Sequence, residues 1–247
     1  YQLTGSKPFL FHVSSLILHI FNTLLIFILF MCLLRNRWQA FLIALFFGVH
    51  PVQVEAVSWL SARSTLLCFF FMFISAILYL KYFQQKKKKP FYIVLSALSF
   101  IFSLLSKSAS IFLPLLLIIF DYFLSGKISR KMLLNKIPFF ILSFIFGIIT
   151  IFSRTESELI SKITTYYSFF DRIFIVAYSI LLYLKNIFIP LDLSAYYAFP
   201  VKESGMLPWF YYAALPSLLI LIVAAFLHYK NRGLLYGVGL FFLPILP

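Results

Sequence analysis

Long apolar runs separated by short polar and basic segments dominate the pattern of the chain. A helix needs roughly 20 residues to cross a bilayer, and several of the runs are slightly shorter than this. The pattern predicts apolar helices over residues 9–34, 38–60, 64–83, 91–106, 109–124, 137–153, 173–189 and 208–228, with a last one starting near Leu234. We therefore expect about 8–9 transmembrane helices, with interfacial helices between some of them.

The composition excludes a soluble fold. Of the 247 residues, 63% are hydrophobic and 11% are charged, whereas a typical soluble domain has about 25% charged residues. We assign the chain to the all-α polytopic membrane proteins, as a single transmembrane domain over residues 1–247. The net charge of +14 does not indicate a nucleic-acid partner, because the basic residues cluster between the apolar runs.

The basic clusters also predict the orientation. Residues 35–37, 86–89 and 127–136 are placed in the cytoplasm by the positive-inside rule. Two crossings separate each of these clusters from the next, so the three assignments agree. The connection at 50–63 and Lys107 then lie on or near the opposite face of the membrane.

After residue 136, the number of apolar runs no longer agrees with the positive-inside rule. If the basic residues at 230–232 are also cytoplasmic, an even number of crossings must follow, but three apolar runs are present. One run does not span, or 155–172 dips into the membrane, or the 230–232 loop is outside. The polarity of 155–172 favours an interfacial segment there, with 173–189 lying partly in the interface.

A polar stripe runs along the first predicted helix. His12, Ser15, His19 and Asn22 are separated by steps of three, four and three, so they share one helix face. Such side chains form hydrogen bonds between helices in membranes, and this is the favoured interpretation. The alternative is that they line a polar cavity.

The stretch GVHPVQVEAVSWLSARSTLL is unusually polar for this chain. Pro51 lacks an N–H and disfavours helical geometry at His50, which predicts a helix break where the chain leaves the membrane. Glu55 and Arg63 are eight residues apart and share a face if the segment is one helix. The spacing alone fits a surface ion pair beside an interfacial Trp59 and an anion or acid/base site equally well.

Two further stretches combine polar side chains with a charge. Lys107 lies beside serines that recur at helical spacing, at Ser99, Ser103, Ser106 and Ser110. It is either a snorkelling lysine or a fixed cation suited to a lipid-linked phosphate. Downstream, a proline-flanked loop contains Asp192 and Tyr196, which either line the mouth of a site or cap two helices.

Metal and soluble-enzyme motifs do not emerge from the sequence. Cys32 and Cys68 lie inside apolar runs, as packing residues do. We find no phosphate-binding glycine loop, no zinc-type Cys/His spacing and no nucleophile elbow. A divalent metal remains a conceivable cofactor without a clear ligand set, so the cofactor is unknown.

Four stretches of the chain carry a resemblance when taken in order: GSKPFLFHVSSLILHIFNTLL, HPVQVEAVSWLSARSTLL, LLSKSASIFLPLLLIIFDY and YLKNIFIPLDLSAYYAFP. They resemble the membrane part of the O-mannosyltransferases that carry tetratricopeptide repeats, and of their bacterial relatives. The match HPVxxEAVxWxSxR is the most specific, and IPLDLSAYYxxP supports it at the expected distance downstream. This chain has Ser108 where the family usually has glutamate after Ser-Lys.

The resemblance implies a GT-C-type glycosyltransferase, which takes a sugar, mannose being the candidate, from a polyprenyl-phosphate carrier. The reaction would occur on the non-cytoplasmic side, with a protein or glycan as acceptor and membrane lipids around the enzyme. Glu55 would be a supporting catalytic carboxylate or metal ligand, the first-choice acid lying in the absent first external loop, and His50, Arg63 and Lys107 would bind the donor phosphate. The lining residues would be His12, His19, Asn22, Asp192 and Tyr196.

The resemblance also implies missing parts. We expect a fragment that lacks a first span and its acidic external loop upstream and the repeats downstream, and that is inactive alone. Two alternative functions remain open. The first is a transporter or flippase-like protein, and the second is an inactive membrane anchor for a repeat domain. The expected location is a bacterial cytoplasmic membrane, with the endoplasmic reticulum membrane as the alternative.

Overall fold

The fold is built almost entirely of helices. The computed structural model describes residues 8–85, 87, 89–154, 166–191, 193–194, 197–202, 205–228 and 232–245, and this part of the chain contains no β-strand. The helices are α1 (Pro8–Leu34), α2 (Arg37–Val49), α3 (Gln53–Ser58), α4 (Arg63–Gln84), α5 (Pro90–Ser106), α6 (Leu113–Ser125), α7 (Arg130–Leu134), α8 (Ile137–Arg154), α9 (Phe169–Phe188), α10 (Trp209–Leu227) and α11 (Arg232–Phe242). Short 3₁₀ turns occupy Leu60–Ala62, Ser108–Phe112 and Leu243–Ile245.

In the described part of the chain, four helical segments are long and apolar enough to cross a membrane, and this confirms an all-α membrane protein. They are Phe9–Leu34, Leu60–Gln84, Ser108–Ser125 and Trp209–Leu227. The shorter apolar helices are Arg37–Val49, Pro90–Ser106, Ile137–Ser153 and Tyr236–Ile245. Helix α9, like the short helices α3 and α7, belongs to neither group, and the interfacial position of residues 173–189 stays a prediction.

The chain divides into two compact units. Unit 1 comprises Tyr1–Thr150 with Gly239–Pro247, and unit 2 comprises Ile151–Val238. In unit 2, helices α9 and α10 pack against each other. Tyr167, Leu207 and Tyr211 are buried in a small core of this unit. That the whole chain forms a single transmembrane domain stays a prediction.

The hairpin of α4 and α5 forms the centre of unit 1. Ser75 and Ser96 exchange hydrogen bonds, each hydroxyl donating to the other residue's carbonyl at 2.8 and 2.7 Å. Two turns away, the hydroxyl of Ser103 donates to the carbonyl of Cys68 at 2.7 Å. A step of seven residues forward on α4 therefore matches seven residues back on α5, which fixes their antiparallel register. Small side chains let the two backbones approach closely enough for these contacts.

A buried ion pair closes the opposite end of unit 1 from the start of α4. Lys136, just before α8, pairs with Asp121 on α6, and both side chains are 1% exposed. The Lys136 ammonium also donates to the Tyr79 hydroxyl at 2.7 Å and to the Met132 carbonyl at 3.0 Å. The Tyr79 hydroxyl donates to Asp121 at 2.9 Å. Because a buried charge without a partner is costly, this cluster joins α4, α6 and α8.

We expect the Lys136→Met variant to lose about 3–5 kcal/mol of stability, because it leaves the Asp121 carboxylate buried without its cation. The double variant Lys136→Met/Asp121→Asn should recover most of this loss, since no charge is then buried and the new side-chain amide still accepts from Tyr79. Unfolding in detergent micelles measures both, with the exposed Lys131→Met as the matched control. A double variant as unstable as the single one would contradict the role of the pair.

The predicted orientation can be tested with cysteines at the two ends of unit 1. Ser58 on α3 and Lys131 on α7 are both exposed. In intact cells, a membrane-impermeant maleimide should label Ser58→Cys without lysis and Lys131→Cys only after lysis. The native Cys32 and Cys68 lie within helices and provide the background signal. Labelling of Lys131→Cys in intact cells would reverse the orientation.

Candidate functional site

The helix break predicted at His50-Pro51 is present. Helix α2 ends at Val49, and His50 is extended with φ −67° and ψ 129°. The His50 ring is mostly buried, packs edge-on against Phe46, and accepts a hydrogen bond at Nδ1 from the Val52 N–H at 3.2 Å. In the neutral ring the proton therefore lies on Nε2.

Glu55 and Arg63 do not share a helix. Helix α3 ends at Ser58, Trp59 is extended, and a 3₁₀ turn precedes Arg63, the first residue of α4. The prediction of a shared face required one continuous helix, and Trp59 interrupts it. Among the described residues no salt bridge joins Glu55 to Arg63. The two charges lie on different helices, and Glu55 is exposed whereas Arg63 is partly buried.

The stripe on α1 contacts two neighbouring helices. His19 Nε2 lies 3.0 Å from the Gly48 carbonyl at the end of α2, and Asn22 donates to the Leu66 carbonyl of α4 at 3.0 Å. Both side chains are buried, which confirms the predicted hydrogen bonds between helices. His12, in contrast, is exposed, and its role as a lining residue stays a prediction.

The serine face beside Lys107 is shorter than predicted. Helix α5 ends at Ser106, because Lys107 is extended, with φ −164° and ψ 137°. Ser110 therefore lies in a 3₁₀ turn instead of continuing the face of Ser99 and Ser103. The Lys107 side chain is exposed, and its ammonium donates to the Thr65 hydroxyl of α4 at 2.8 Å.

We group five polar residues under the name helix-end cluster: His50, Glu55, Arg63, Thr65 and Lys107. Helix α3 contacts both α2 and α4, and the start of α4 contacts the residue after α5 through Thr65 and Lys107. The cluster contains two cations, one carboxylate and an imidazole at the end of apolar helices. Fixed cations with several N–H donors suit a phosphate group. Thr65 was missed by the sequence analysis because its partner lies 42 residues away.

A second polar cluster lies in unit 2 and was also missed. The Lys202 ammonium is 2.7 Å from the Asp171 carboxylate and lies over the rings of Tyr166 and Tyr167, 5.7 and 5.8 Å from their centroids. Asp171 accepts from Ser168, the N-cap of α9, and the Tyr167 hydroxyl donates to the carbonyl of Pro200 at 2.7 Å.

This cluster fastens the end of the IPLDLSAYYAFP loop to the start of α9. The two predicted lining residues of the loop, Asp192 and Tyr196, lie outside the described residues. Their role as lining residues therefore stays a prediction.

The hydrogen bonds and charge of Lys202, together with the hydroxyl of Ser168, lower the pKa of Asp171 below its ordinary value. A carboxyl with a lowered pKa contributes stability above its unfolded pKa and loses that contribution as the pH falls through the folded value. We expect Asp171→Asn to lower the unfolding temperature at pH 7 and to have a much smaller effect well below pH ~4. Thermal unfolding of both proteins across this range measures the difference, and a gap that persists at pH 2 would contradict the ion pair.

A metal centre does not emerge from the described residues. No group of three or more His, Cys, Asp or Glu side chains lies close enough to hold an ion in this part of the chain.

The structure defines an all-α integral membrane protein with a cationic cluster at one end of its helices. The chain is 31% identical over 141 residues to the protein O-mannosyl-transferase TMTC1 of Homo sapiens, covering 52% of this chain and 16% of that protein. It is 30% identical over 132 residues to the Mus musculus TMTC1, covering 49% and 14%. The human protein O-mannosyl-transferase TMTC4 is 28% identical over 156 residues, covering 56% and 21%.

The chain thus matches about half of its own length to proteins named O-mannosyl-transferases, and spans less than a quarter of theirs. This similarity agrees with the resemblance noted in the sequence. No protein-family model and no solved structure matches the chain.

Proposed function

We propose that this chain is part of a GT-C-type glycosyltransferase that moves a sugar, with mannose as the candidate, from a polyprenyl-phosphate carrier to a protein or glycan hydroxyl. The reaction takes place on the non-cytoplasmic side, with a bacterial cytoplasmic membrane as the proposed location. The observation that carries the proposal is the contact between the Lys107 ammonium and Thr65 Oγ1, at 2.8 Å. Thr65 is two residues after Arg63 along the chain, so this contact brings the two cations to the same helix end. The similar proteins are named O-mannosyl-transferases, which supports mannose as the candidate sugar.

The helix-end cluster suits the departure of a lipid-linked phosphate. When the bond between the sugar's anomeric carbon and the phosphate oxygen breaks, negative charge builds up on that oxygen. Arg63 and Lys107 would stabilise this charge, and the imidazole of His50 would donate a hydrogen bond to the same phosphate. A phosphate anchored by a lipid tail lies at the membrane surface, where apolar helices end.

The acceptor hydroxyl must lose its proton as it attacks the sugar. Glu55 is the acidic residue that the described part of the chain places at this end of unit 1, and it is exposed. It is therefore the proposed base within this chain. His19 and Asn22 are buried near the middle of α1, and we propose that they line the site.

Sugar transfer by the full-length protein from a labelled polyprenyl-phosphate sugar tests the proposal. We expect Arg63→Ala and Lys107→Ala each to lower kcat/KM by about a hundredfold, the usual effect of removing one group that stabilises transition-state charge. Lys131→Ala, which removes an exposed lysine from α7, should leave the rate unchanged. The assay measures release of polyprenyl phosphate together with labelled acceptor.

Wild-type turnover in both Arg63→Ala and Lys107→Ala would refute the phosphate role of the cluster. Loss of transfer in Lys131→Ala as well would indicate that the variants act through folding. A full-length protein that transfers no sugar would refute the glycosyltransferase itself.

A further inference from the structure

Within the described residues, the Lys107 ammonium contacts the hydroxyl of Thr65. The hydroxyl oxygen lies 2.8 Å from the Lys107 nitrogen, and it projects from the first turn of α4. An ammonium group has three N–H donors, and a single hydroxyl engages one of them. Since the Lys107 side chain is exposed, the other two can reach an anion arriving from outside.

The backbone of Lys107 is held by the same helix. The Cys68 thiol, one turn after Thr65, donates to the Lys107 carbonyl at 3.3 Å. The Ser103 hydroxyl donates to the Cys68 carbonyl at 2.7 Å, and the Lys107 N–H donates to the Ser103 carbonyl at 3.1 Å. The first turns of α4 thus fix both the backbone of Lys107 and the far end of its side chain.

We propose that Thr65 is a positioning residue, which holds the Lys107 ammonium where it meets the donor phosphate. This inference rests on the proposed function. A lysine side chain has four rotatable bonds, and fixing it on binding costs conformational entropy. A hydroxyl that fixes it beforehand lowers this cost and keeps the charge at the reacting oxygen.

Two substitutions separate the hydroxyl from the shape of the side chain. Thr65→Val keeps the shape and removes the hydroxyl, and we expect it to lower kcat about tenfold through misplacement of the charge. Thr65→Ser keeps the hydroxyl and should restore most of the rate. Thr150→Val is the control, because the Thr150 hydroxyl donates to the Phe146 carbonyl of its own helix.

A double-mutant cycle distinguishes positioning from a general structural role. If Thr65 acts through Lys107, then Thr65→Val should have no further effect in a Lys107→Ala background. A structural effect would lower the rate by the same factor in both backgrounds. Equal losses would overturn the inference.

A second measurement does not depend on activity. Amine acylation of Lys107 in the purified full-length protein is followed by peptide mass spectrometry, with the exposed Lys131 as internal reference. Without the hydroxyl that orients the ammonium, we expect Lys107 in Thr65→Val to react several times faster than in wild type and in Thr65→Ser. Identical rates in all three would overturn the inference.

The two proposals fail in different ways. If Lys107→Ala transfers sugar normally while Thr65→Val changes the acylation rate, the contact exists and the donor site is wrong. If Lys107→Ala is inactive while Thr65→Val is normal in both assays, the donor site stands and the positioning role is wrong.

Discussion

The structure depends on one constraint, which is that a polar group removed from water in a bilayer must find its partner inside the protein. Several polar residues buried in unit 1 find that partner on a neighbouring helix. The reciprocal Ser75–Ser96 contact and the Ser103–Cys68 contact set the register of α4 against α5. The contacts from His19 and Asn22 then place α1 against α2 and α4.

The same register determines the chemistry at the end of the bundle. Because α4 and α5 are antiparallel and fixed, the first turn of α4 lies beside the last turn of α5. Arg63 and Lys107, separated by a long stretch of sequence, are brought to one end of unit 1 as a result. The break at Pro51 adds His50 to this end. A stable pair of apolar helices thus concentrates positive charge where the helices leave the hydrocarbon.

The sequence predicts much of this fold, for reasons that are local. The apolar runs match the helices closely, and Pro51 ends α2 because it constrains the residue before it. The partner of Lys107 could not be predicted, since it depends on how far each helix is rotated about its axis. The pairing of Glu55 with Arg63 required a continuous helix, and the extended Trp59 could not be inferred from spacing.

The burial of Lys136 has a consequence for how the chain reaches its final state. In the predicted orientation, Lys136 belongs during insertion to the basic segment 127–136, whose charge would retain this segment in the cytoplasm. Once α4, α6 and α8 have come together, Asp121 neutralises it inside the protein. The same lysine would then act first as a signal for topology and afterwards as an internal contact. Anionic headgroups at the finished inner surface are therefore attracted by fewer positive charges than the nascent segment carried.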